Sequence, residues 1–262
     1  MFASLPDRPI GDRPIGEGTD RSPSRLQARA SLALLTERTR PVSASQTQLL
    51  PVLPPLDSLF PDTGLRRGTT IVVSGTPPTR AARSDTPTGA DINVALALSA
   101  GASRSGSWCA LVGVDNLGAV AAHEIGIDLG RLAIIPRPGA AWADVTGMLV
   151  GGIDLVVIRP PFPPRPGVAR RLVARTRERR SVLVIVPGRS KWPEHPDLHL
   201  QVDGLCWEGA GGGTGHLSGC RMTVVATGRR SAVRPKRQVL WFPQPPAGGT
   251  GEAGTARSVV GP

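Results

Sequence analysis

The chain has no tyrosine, and aromatic residues make up only 3% of its 262 residues. Cysteine is sparse as well. Cys109, Cys206 and Cys220 show no zinc-knuckle spacing and fit a reducing compartment. No apolar run approaches the roughly 20 residues needed to cross a bilayer. Residues 1–8 lack the basic-then-apolar pattern of a secretory signal. The expected location is the cytoplasm, nucleoid association included, with no membrane partner. Lysine is nearly missing, for Lys191 and Lys236 stand alone, both in the C-terminal third. Acidic residues number 20 against 31 basic ones, a net charge of +11 carried almost wholly by arginine. That charge suits nucleic acid and an acidic partner equally and does not choose between them.

What is present is organised around residues 68–116. The β-branched run Thr69, Thr70, Ile71, Val72, Val73 breaks at Ser74-Gly75; a small-residue helix follows over 90–98, then an apolar strand over 108–112. Strand, glycine-bearing loop, helix and strand in that order make one βαβ unit. In nucleotide-binding proteins the loop of such a unit cradles phosphates with backbone N–H groups and one lysine. Here it runs from Gly75 to Gly89 with Thr79, Arg80 and Arg83 inside. It is too long for that cradle, includes prolines that donate no N–H, and contains no lysine. The position of a phosphate site is kept and its chemistry is missing.

Residues 1–22, with a tandem repeat at 7–16, hold too few apolar residues to offset the entropy of ordering and are expected to be a disordered tail. Residues 23–55 read as a helix over 24–40, stopped by Pro41, and a linker over 42–55. Leu56, Leu59 and Phe60 are placed to seal one edge of a core. Helices are expected over 117–125, 141–150 and 167–180, alternating with apolar strands at 132–135, 154–158 and 182–186. Continuous Val/Ile/Leu strands between helices predict parallel pairing covered on both faces. Short alternating segments at 198–207, 220–227 and 238–242 predict an antiparallel extension. The Pro/Gly/Ala-rich residues 244–262 read as a second tail.

From Leu56 to Pro243 this order of elements resembles the RecA-like recombinase core. The stretches that carry the likeness are 64–68 before the first strand, 126–132 before the third, Gly152-Ile153-Asp154 opening the fourth, and the terminal hairpins ending at Phe242. The fragments 106–113 and 154–161 resemble the actinobacterial ImuA-prime type of RecA-like accessory protein. That resemblance implies an α/β core over 56–243 and membership of a damage-inducible mutasome. Its partners there are an inactive Y-family-like polymerase and an error-prone replicative-type polymerase.

A RecA-type ATPase uses a loop lysine on the β/γ-phosphates, a following Ser/Thr on Mg²⁺, an acid ending a central strand, and a carboxylate that polarises water. Here the loop has no lysine, and Arg80 or Arg83 would bring a wide planar guanidinium instead. Gly89 is followed by Ala90 and Asp91, and the strand at 154–158 ends in Arg159, a cation that opposes Mg²⁺. Asp115 falls near the water-polarising position and is read as a cap on the next helix. Each lost charge-assisted bond forfeits about 1.5–3 kcal/mol. The expectation is a non-catalytic domain with no cofactor and no metal.

Two basic clusters remain as candidate DNA or partner contacts. Arg170, Arg171, Arg175, Arg177, Arg179 and Arg180 lie on the last helix of the alternating part, and Arg229, Arg230, Arg234, Lys236 and Arg237 lie between two strands. Lys191 and Trp192 form a third place, where the indole either stacks on a base or packs against the core. His195 and His199 are four apart, but Pro196 opposes a shared helical metal face. The reading is a RecA-like adaptor in SOS-induced translesion synthesis, contacting partners through residues 24–40 (Arg38 among them), the basic helix, or the segment beyond Trp241. Two alternatives stay open: a RecA paralogue with residual nucleotide or DNA binding, and a RecA-fold inhibitor of cell division.

Overall fold

A computed structural model of the chain describes residues 48–75, 89–188, 190–208, 219–229 and 234–242. The two tails, the helix expected over 24–40, the loop residues Thr79, Arg80 and Arg83, and Arg230 lie outside the described residues.

Among the described residues ten strands and four α-helices follow one another. Strand β1 (Leu49–Pro51) pairs antiparallel with β2 (Gly64–Arg66), with a 3₁₀ turn (Pro54–Leu59) between them. Then come β3 (Thr70–Gly75), α1 (Ala90–Arg104), β4 (Cys109–Val112), α2 (Ala119–Ile125) and β5 (Leu132–Ile135). Next are α3 (Trp142–Val150), β6 (Leu155–Ile158), α4 (Pro166–Arg179) and β7 (Val182–Ile185). The chain finishes with β8 (Leu198–Glu208), β9 (Gly219–Gly228) and β10 (Lys236–Phe242).

The main sheet has eight strands in the order β10-β9-β8-β3-β7-β6-β4-β5. Strands β3 to β8 pair in parallel, and β9 and β10 are added antiparallel. The architecture implied by the RecA-like resemblance is thus the one seen, a mostly parallel sheet with an antiparallel C-terminal extension. One detail differs. Residues 198–207 were expected to be antiparallel, yet β8 runs parallel to β3 because residues 186–197 carry the chain back to the start of the sheet before it pairs.

Period-2 alternation divides the strand side chains between two cores. Ile71, Val73, Leu111, Val157 and Val184 face α1, while Val72, Val112, Ile158, Leu183 and Ile185 face α3 and α4. Leu56, Leu59 and Phe60 are buried in the first core, as expected. Part of the expected linker is core as well. Leu50, Val52 and Leu53 are all under 9% exposed, because β1 needs its β2 partner and its apolar side needs α1. Gly101 permits that contact, since a Cβ there would stand 2.5 Å from the Val52 backbone.

The amino ends of the strands are tied by a buried ion pair. Arg67 donates to Asp154 at 2.7 Å, with only 12% and 3% of the two side chains exposed. The second carboxylate oxygen of Asp154 accepts the Trp108 N–H at 3.1 Å, so one acid joins the lead-ins of β3, β4 and β6. Burial and the charge of Asp154 push the Cys109 thiol up from 9.0 to about 12, which makes it an inert core residue.

Candidate functional site

In open α/β sheets ligands bind at the carboxyl ends of the strands, where the strand order reverses. Here that edge gathers Ser74 and Gly75 at the end of β3, the first turn of α1, Gly113 after β4, and Arg159 after β6. Gly89 caps α1 in a left-handed conformation (φ 59°) without a side-chain hydrogen bond. Asp91, in that first turn, is 93% buried and accepts the Ile92 N–H at 2.9 Å. A carboxylate therefore holds the helix N-terminus, the place where a phosphate cradle would need an anion of its ligand.

Arg159 lies across the same edge. Its N–H donates to the Val112 carbonyl at 2.8 Å, and its guanidinium runs past Gly188. Gly113 (φ 79°) is required beneath it, because a Cβ there would stand 2.1 Å from the Arg159 carbonyl oxygen. Among the described residues neither Asp91 nor Arg159 has an oppositely charged side chain within ion-pair distance. Beside them the Ser74 hydroxyl and His199 Nε2 are 2.8 Å apart, and burial lowers the imidazole pKa.

Asp115 is exposed and does not cap α2. That helix starts at Ala119, and its N-cap is Gly118 with no side-chain bond. The chain leaves β4 too early for Asp115 to reach the first turn. Trp192 is also withdrawn from the candidate contacts: it is 95% buried in the second core with Val72. Lys191 beside it is exposed.

The basic clusters are partly neutralised. Arg170 pairs with Glu194 at 3.1 Å, Arg177 with Asp197 at 3.4 Å, and Arg237 with Asp203 at 3.1 Å. Arg179 stands 3.9 Å from Glu178, and the Lys236 ammonium donates to the Phe60 carbonyl at 3.3 Å. The fold brings the carboxyl end of α4 and the end of β9 together at the amino edge. Asp197 takes Arg177 on its carboxylate and the Arg229 N–H on its carbonyl, so the foot of α4 and the β9–β10 turn meet at the amino edge. Arg180, Arg229 and Arg234 are exposed there.

Sequence reasoning passed over three features. Asp91 was weighed only as a missing hydroxyl, although an acid in the first turn of a helix is itself a signal. The Ser74–His199 pair joins residues 125 apart and depends on β8 lying beside β3. Phe162, 47% exposed, was passed over as part of a proline-rich link.

With this geometry in hand, the chain was compared with known proteins. The model of the MT3502 N-terminal domain family matches residues 58–194, more than half of the 262-residue chain. The chain belongs to that family. The match takes in the crossover region from the 3₁₀ turn through Glu194 and stops before β8. A relative, the uncharacterized protein Rv3395c of Mycobacterium tuberculosis, is 33% identical over 164 residues, covering 61% of this chain and 68% of the relative. Among solved structures, that of the RadB recombinase aligns with a TM-score of 0.47 and 14% identity, covering 71% of this chain and 92% of that one. Among the described residues no helix is long and apolar enough to cross a membrane, and no group of three His, Cys, Asp or Glu side chains is placed to hold a metal ion.

Proposed function

We propose that this member of the MT3502 N-terminal domain family is a non-catalytic RecA-like accessory protein of the ImuA-prime type, an adaptor in SOS-induced translesion synthesis. Its partners in this reading are an inactive Y-family-like polymerase and an error-prone replicative-type polymerase. The observation that carries it is the charge arrangement at the carboxyl edge. A buried carboxylate, Asp91, holds the helix N-terminus, and a cation, Arg159, follows β6. Each charge opposes the ligand that a RecA-type ATPase binds there: Asp91 repels phosphate and Arg159 repels Mg²⁺. A scaffold kept after its nucleotide chemistry has gone retains its surfaces for docking. Tagged full-length chain captured from DNA-damaged cells should bring the Y-family-like polymerase with it. Capture of neither polymerase would remove the adaptor reading.

A second reading has its own support. The meeting of the basic clusters at Asp197 favours contact of the amino edge with DNA phosphates. Its mark is a steep fall of affinity with salt, tested by anisotropy with labelled single and double strands. Salt-insensitive binding, or none, would rule it out.

A further inference from the structure

Between α3 and α4, on the flank of the sheet, runs a groove of about 250 Å³. Its lining is mixed: polar groups dominate, and between them Ala143 and Met148 of α3 and Val168 of α4 give half-buried apolar patches. Gly147 keeps it open. A Cβ built there would make only ordinary contacts, 3.9 Å to Leu172 Cδ2 and 4.0 Å to Arg175 Cδ, so the fold does not require glycine at this place. Along the α4 wall stand Arg171 and Arg175, one helical turn apart and both exposed. Their neighbours Arg170 and Arg177 are neutralised by Glu194 and Asp197, whereas among the described residues no acid lies within ion-pair distance of Arg171 or Arg175. Asp144, in the first turn of α3, is the single acid lining the groove.

Against the start of α3, where Trp142 is next in sequence to the groove residue Ala143, stands an exposed aromatic. Phe162 is 47% exposed, yet its ring is held edge-on to buried Trp142, the first residue of α3, at 6.3 Å between centroids. Prolines on both sides fix its backbone, so little freedom remains to be lost on association. Exposed aromatics and arginines are enriched at protein-binding surfaces, and both stand here on one flank.

We infer that the α3–α4 groove docks an acidic amphipathic helix of a protein partner, whose apolar face lies over Gly147 and whose carboxylates meet Arg171 and Arg175. The pair four residues apart selects carboxylates at the same spacing on the incoming helix. Asp144 sets the direction, because it opposes an acid at the Phe162 end. This rests on reading the chain as an adaptor and names the chemistry of the segment it would take.

The test uses the full chain and two fluorescent synthetic helices of leucine and alanine, one bearing glutamate and its twin bearing lysine. The glutamate helix should bind saturably and the lysine helix at least ~10-fold more weakly. Arg171→Glu with Arg175→Glu should weaken the glutamate helix ~10-fold or more, and so should Gly147→Leu, each with an unchanged thermal midpoint. Equal binding of the two helices, or glutamate-helix binding that ignores both variants, overturns the inference. Capture from damaged cells separates the two ideas. If the double-charge variant still brings down the polymerase, the groove fails and the adaptor stands. If the unaltered chain captures neither polymerase, the adaptor fails and the peptide result alone judges the groove.

Discussion

The two edges of the parallel sheet handle charge in opposite ways. At the amino edge the acids are answered: buried Asp154 by Arg67 and the Trp108 N–H, and half-exposed Asp197 by Arg177 and the Thr70 N–H. At the carboxyl edge Asp91 and Arg159 stand without counter-charges among the described residues. The amino edge therefore ties the strands together, while the carboxyl edge carries an acid at the start of α1 and a cation after β6.

That contrast can be broken first at Asp154. Removing one member of a buried ion pair strands the other, so Asp154→Ala should cost about 3–5 kcal/mol in urea unfolding. A loss within experimental error would show that the amino edge is not the clamp. At the other edge, Gly113→Ala puts a Cβ into the Arg159 carbonyl at a left-handed residue, with an expected loss of about 1–3 kcal/mol. Replacing Asp91 by Ala should cost less, about 0.5–2 kcal/mol, since it removes the favourable charge at the start of α1 and the hydrogen bond to the Ile92 N–H.

The Cys109 thiol sharpens the comparison through pH. Its native pKa of about 12 lies above the ordinary 9.0, so the folded state retains a proton that the unfolded chain releases. Stability from this group is constant below pH 9 and falls as pH rises from 9.0 towards 12. Cys109→Ala should flatten that alkaline decline, measured as the urea midpoint against pH; an unchanged slope would contradict the assignment.

Much of the fold was legible because parallel strands buried on both faces leave continuous Val/Ile/Leu runs, as at residues 182–186. The role of β1 was hidden, for Leu49–Pro51 is short and ends in proline, and its pairing with Gly64–Arg66 spans an intervening turn. Arg159 could be placed at the end of its strand from sequence. Asp197 could not be read as the meeting point of two basic clusters, since its contacts on α4 and β9 arise only from the return path of residues 186–197. The α3–α4 groove was hidden for the same reason: Gly147 and Arg171 sit on different helices, and only packing brings them together.

The central claim is that reversed charges at the carboxyl edge leave the chain unable to grip a nucleoside triphosphate. Calorimetry of the full chain with ATP and Mg²⁺ tests it most directly. The account predicts no saturable heat at any ATP concentration up to the millimolar range; saturable micromolar binding that Asp91→Ser and Arg159→Asp alter would contradict it.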